Sequence, residues 1–144
     1  MSTTPAPDVD TAMVLGMAST ALPFAESPEA EAERWLRILR MHGDAGAALQ
    51  ALGVSEAPLE HGTGPDPVEQ PLTEGQHADV IRRVTEHAVA VAAHRGAKLV
   101  GPADVLVAVM VVYGADFDRV LRVHGTDRDE VLQRLGARMP ADND

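Results

Sequence analysis

Residues 48–54 read Ala48-Leu49-Gln50-Ala51-Leu52-Gly53-Val54, and residues 120–126 read Val120-Leu121-Arg122-Val123-His124-Gly125-Thr126. The stretches stand 72 residues apart, with a glycine at the same place in each. Upstream, Trp35-Leu36-Arg37-Ile38-Leu39-Arg40-Met41-His42-Gly43 stands 71 residues before Leu106-Val107-Ala108-Val109-Met110-Val111-Val112-Tyr113-Gly114. Apolar helix, glycine, short amphipathic helix, glycine: the order occurs twice. A repeat of this length predicts two helical units that bury their apolar faces against each other about a pseudo-twofold axis. The expected fold class is all-α.

The rest of the chain is punctuated for helices. An Ala/Met/Leu run from Asp10 contains Met13, Leu15, Met17, Ala18 and Leu22 and stops at Pro23. Ser27-Pro28-Glu29 is a helix start, with a capping hydroxyl, a proline that needs no hydrogen-bond partner, and acids in the first turn. A short helix from Asp44 to Leu52 ends at Gly53. Thr73-Glu74-Gly75-Gln76 forms a capping box before a long helix that ends near Gly96. Val80, Ile81, Val84, Ala88, Val91 and Ala92 recur along it at helical spacing. Asp104 to Val112 is rich in β-branched residues, which favour strands. No second strand candidate exists to pair with it, so a buried helix is expected. Asp116 to Val123 and Asp127 to Arg138 complete the set.

Domain boundaries follow from composition. Residues 1–9 carry Pro5 and Pro7 and read as a flexible tail. Residues 10–139 form one domain, in which 57–71 hold four prolines and two glycines and read as a linker. Residues 140–144 are an acidic tail. The 144 residues carry 12 Lys and Arg against 22 Asp and Glu, a net charge of −10. Phosphate backbones and anionic membrane surfaces would be repelled, so neither nucleic acid nor membrane is an expected partner. The run Val105 to Tyr113 is about half of the ~20 residues a membrane span needs. Residues 1–9 lack the basic start of a signal peptide, so a cytoplasmic location is expected. The absence of cysteine removes disulfides, thiolate metal sites and a thiol nucleophile.

Two segments carry a family resemblance. His94-Arg95-Gly96-Ala97-Lys98-Leu99-Val100-Gly101-Pro102-Ala103-Asp104-Val105-Leu106-Val107-Ala108-Val109 and Phe117-Asp118-Arg119-Val120-Leu121-Arg122-Val123-His124-Gly125 resemble the Clp N-terminal repeat domain, found at the front of Clp unfoldases. Ala48-Leu49-Gln50-Ala51-Leu52-Gly53 is similar to the same frame in the first half, and the likeness runs from about Asp10 to about Gly136. It implies about eight helices in two four-helix repeats, one over 10–56 and one over 72–139. It also implies a role in receiving substrates or adaptors, without catalysis or cofactor. No Gly-x-x-x-x-Gly-Lys-Ser/Thr phosphate loop occurs in the sequence, so a freestanding binding module is expected.

The resemblance also implies site residues. Family members carry Thr-Glu-His where this chain has Pro102-Ala103-Asp104, with Glu31-Ala32-Glu33 near the matching place in the first half. In some members that glutamate helps hold a phosphorylated arginine, for which Ala103 has no acceptor. In actinobacterial members a surface between the first helices of the two repeats binds cyclic peptide antibiotics. Ile81-Arg82-Arg83-Val84-Thr85-Glu86 corresponds to the end of its pattern. The implied ligand-facing set is Val14, Met17, Leu72, Val80, Arg82, Arg83 and Glu86. The expected partners are peptides, cyclic peptides or protein degrons, held by a decoy that keeps them from an unfoldase. The alternative is a regulator that docks on a Clp unfoldase or its adaptor.

Other candidate chemistry reads as structural. His87 and His94 lie seven residues apart, ~10.5 Å along a helix, too far to share one metal ion. The histidines are expected at the solvent or at helix caps. Glu29, Glu31 and Glu33 are expected to fan around a helix as a solvated face. Trp35, among Leu and Ile neighbours, is expected in the core. No catalytic residue and no metal ligand is expected.

Overall fold

A computed structural model describes residues 4–25, 27–54 and 74–136. The fold is all-α: seven α-helices among these residues, with one two-stranded ladder two residues long. The helices are α1 (Val9–Ala21), α2 (Pro28–Leu39), α3 (Gly43–Ala51), α4 (Glu74–His94), α5 (Pro102–Tyr113), α6 (Ala115–Val123) and α7 (Arg128–Leu135). A 3₁₀ turn, Leu22–Phe24, closes α1 at Pro23.

The capping signals act as the sequence predicts. The Ser27 hydroxyl accepts from the Ala30 N–H at 3.0 Å, and the Asp127 carboxylate accepts from the Glu130 N–H at 2.9 Å. The capping box at Thr73, the linker and Leu72 lie outside the described residues.

Helix α5 is the centre of the fold. It packs against α1, α2, α3, α4, α6 and α7, and every residue from Asp104 to Met110 is buried. A helix satisfies its backbone polar groups internally, so Val105, Leu106, Val107 and Val109 can face apolar neighbours on every side. A lone strand here would leave a row of buried N–H and C=O groups without partners. That is why burial overrides β-propensity over this segment. Trp35 is fully buried on α2, as expected.

Residues 4–9 depart from the loose-tail expectation. Pro5 is buried, and strand β1 (Ala6–Pro7) pairs in parallel with β2 (Leu99–Val100). Two prolines leave few donors here, and the Ala6 and Asp8 N–H groups bond the Lys98 and Val100 carbonyls at 3.3 and 3.0 Å. The Asp8 carboxylate then caps α1 by accepting from the Thr11 N–H at 2.7 Å. The buried Thr11 hydroxyl donates to the Val100 carbonyl at 2.7 Å. The arm is tied down by specific hydrogen bonds that composition does not reveal.

The repeated units share their local geometry. Helices α3 and α6 begin and end 72 residues apart. Gly53 and Gly125 follow them with φ of +88° and +89°. The Val54 N–H bonds the Leu49 carbonyl at 3.0 Å, and the Thr126 N–H bonds the Leu121 carbonyl at 3.0 Å. Their packing is also exchanged: α2 lies on α6, and α3 lies on α5. A Cβ added at Gly53 or Gly125 meets nothing within 4 Å, so only the backbone torsion excludes other residues there. Gly53→Ala and Gly125→Ala should each lower stability by about 1–2 kcal/mol, seen as a lower denaturation midpoint at unchanged m-value.

Candidate functional site

Alternate residues on the first turns of α2 reach into the second half of the chain. Glu29 pairs with Arg119, which also pairs with Asp116. Glu31 is 3% exposed, and its Oε1 accepts the Tyr113 hydroxyl proton at 2.7 Å. The Trp35 indole N–H donates to the same hydroxyl at 3.0 Å. Glu33 holds the Nε2 of His124 at 3.0 and 3.1 Å from its two oxygens, and that imidazole is 1% exposed. The expected solvated fan holds for the exposed Glu29 and is corrected for Glu31 and Glu33. The packing of α2 on α5 and α6 turns these positions inward or toward partners. His42 and His124 stand at helix caps as expected, before α3 and after α6, but their side chains are buried and that of His42 makes no cap bond.

Burial raises the pKa of the Tyr113 phenol strongly, and its bond to Glu31 adds to the rise. Trp35 and the positive charge of Arg83 act the other way.

Two clefts on the described surface bear on the candidate site. The larger, about 490 Å³, lies where the N-termini of α1, α3 and α5 meet the loop before α5. Asp8, Asp10 and Asp44 stand on its walls with Arg95 and Lys98. Arg95 grips Asp104 through two bonds of 2.8 and 2.6 Å. Asp104 is the third residue of α5, and it also accepts from the Gly101 N–H at 2.9 Å. This hydrogen-bonded pair raises the Arg95 pKa against the cost of burial, helped by the charges of Asp104 and Asp44. The carboxylate next to Ala103 is thus committed to capping α5, and Ala103 lines the cleft with a methyl group alone. The walls offer acids and cations to a polar ligand. Nothing in the sequence pattern links Arg95 to Asp104, nine positions apart across a loop.

The smaller cleft, about 300 Å³, runs between α1 and α2. Met17, Ala21, Ile38 and Met41 supply its apolar surface, with Arg34 and Arg37 beside them. Sequence reading missed Met41. Its signal was its place just past an apolar helix.

The implied ligand-facing residues separate. Met17 is half-exposed and lines the smaller cleft. Val14 is corrected: it is fully buried, because it sits on the side of α1 that faces the core. Val80 is half-buried and packs on the core from α4. Arg82 is exposed and pairs with Asp79 at 2.6 Å, one turn back on its own helix. Arg83 and Glu86 are exposed on α4. Neither cleft contains a residue of the α4 set, although α1 and α4 pack together.

No family model, curated protein or solved structure matches the chain. Among the described residues, no helix is long and apolar enough to cross a membrane.

Tyr113 is the only tyrosine, so its ionisation can be followed alone by ultraviolet absorbance. Its folded pKa is raised, so the stability it contributes is complete below its ordinary value of about 10 and is lost as pH rises above it. The native protein should show no tyrosinate step near pH 10, and tyrosinate should appear together with loss of helicity. Tyr113→Phe removes the donor to Glu31 and should destabilise the fold by about 1–3 kcal/mol in denaturant titrations. Arg95→Ala leaves the buried Asp104 with one backbone donor and should cost about 1–2 kcal/mol, discounted because Arg95 is half-exposed.

Proposed function

We propose that this chain is a non-catalytic peptide-binding module of the Clp N-terminal kind, built from two helical repeats. The observation that supports this most is the duplicated unit: α3 and α6 with their following glycines keep the same bounds, torsions and hydrogen bonds 72 residues apart. The exchanged packing of α2 on α6 and α3 on α5 fits a pseudo-twofold pair. The first repeat then comprises α1 to α3, and the second α4 to α7. The resemblance of residues 94–109 and 117–125 to the Clp frame points the same way.

The binding surface we assign runs from the exposed part of α1, at Met17, to Arg82, Arg83 and Glu86 on α4. Met17 offers a thioether that adapts to irregular apolar groups. The α4 residues offer two guanidinium groups and a carboxylate to backbone or side-chain polar atoms. The ligands are peptides, degron-like segments or cyclic peptides. A module of this kind acts by mass action: ligand held here is withheld from an unfoldase that displays a similar domain. That makes it a decoy in the cytoplasm.

Calorimetric titration with a cyclic peptide that binds Clp N-terminal domains tests this reading. Saturable binding is expected, weakened roughly 5-fold or more by Met17→Ala and by Arg82→Ala, each a loss of about 1 kcal/mol. Absence of heat with a folded, helical protein would sink the decoy reading.

A further inference from the structure

We infer that the face formed by α1 and α2 is a site of reversible methionine oxidation, which switches an apolar groove to a polar one. Four of the six methionines lie among the described residues. Met13, Met17 and Met41 are 51%, 38% and 55% exposed, whereas Met110 is fully buried in α5. Met17 and Met41 line the same 300 Å³ cleft, one from α1 and one just past α2. Met13 stands one turn before Met17 on α1. These three sulfurs are therefore gathered on one side of the molecule.

The chemistry needs only an oxidant of the hydrogen peroxide class. The thioether sulfur gives an electron pair to one peroxide oxygen, the O–O bond breaks, a sulfoxide forms and water leaves. Sulfur is oxidised by two electrons and the peroxide is reduced. The chain has no cysteine, so no thiol of its own intercepts the oxidant first. A sulfoxide is polar and accepts hydrogen bonds, so oxidation at Met17 and Met41 removes much of the apolar character of a cleft whose other apolar groups are Ala21 and Ile38. Met110 sits inside the central helix, where oxidation would disrupt the core, and its burial shields it. The site is thus built to change polarity without unfolding. Methionine sulfoxide reductases, which return the sulfoxide to the thioether, reset it.

The test treats the folded protein with hydrogen peroxide and follows each methionine by peptide mass spectrometry. The binding probe is anilinonaphthalene sulfonate, an anionic apolar dye whose fluorescence rises in apolar grooves. Sulfoxide should form at Met17 and Met41 roughly tenfold or more faster than at Met110, with far-ultraviolet circular dichroism unchanged. Dye fluorescence should fall as those two sites react and return after reductase treatment. The double variant Met17→Leu/Met41→Leu, which conserves volume, should bind dye and keep its signal in peroxide. The inference is overturned if Met17 and Met41 react no faster than Met110, or if the dye does not bind the reduced protein. It is equally overturned if the signal survives oxidation of both sites, or if the double variant loses it just as the parent does.

Discussion

The buried carboxylate of Glu31 is the constraint on which the arrangement of the two halves rests. A carboxylate nearly shut off from water must find a donor, because an unmet acceptor of this kind costs far more than the bond it would make contributes. Tyr113 supplies that donor from the end of the central helix, and Trp35 holds the phenol in place from one turn along α2. This geometry is satisfied at one relative position of α2 and α5. Apolar packing alone tolerates sliding of one helix past another, whereas a hydrogen-bonded chain of three side chains does not. Glu33 with His124 and Glu29 with Arg119 extend the same seam toward α6.

With that seam in place, α5 can be apolar on all sides. It is wrapped by six other helices and contributes its caps and its ends to both the seam and the larger cleft. At its start, Asp104 binds Arg95 and the Gly101 N–H. At its end, Tyr113 meets Glu31. The N-terminal arm fixes the loop before α5 through the Val100 carbonyl, which accepts from both Asp8 and Thr11. The cleft wall is therefore held from two directions, by the arm and by the Arg95–Asp104 pair. The α1–α2 cleft sets Arg34 and Arg37 beside methionine side chains, which adapt in shape and can change in polarity.

Much of the candidate surface was legible only as a set of positions. Met17 came from the resemblance, which sets it in the surface between the repeats, and it does reach the surface. Val14 belongs to the same apolar run and shares that side of α1, but it lies under the packed helices at the centre of the buried face, whereas Met17 lies at its edge. Arg82 and Arg83 came from the basic pair of the resembled pattern, but the ion pair of Arg82 with Asp79 follows from helix geometry that the resemblance does not carry. Arg95, Asp104 and the acids of the larger cleft come from four separate segments, so no local pattern could gather them.

The sequence by itself determined the elements. Ser27-Pro28, Asp127, Pro23 and the glycines at 53 and 125 set where helices start and stop, because capping and backbone torsion act within a few residues. The repeated spacing marked the matching segments that became α3 and α6 with their following glycines, because it needs only the order of apolar and glycine positions. Only the tertiary structure decided which acids are buried, which histidine is enclosed and that the first nine residues include a paired arm. Glu31, Glu33 and His124 carry the same sequence signature as solvated residues, and their fate depends on what the other half of the chain brings to them. Long-range hydrogen bonds join residues 82 to 91 positions apart, and no local pattern encodes the partner.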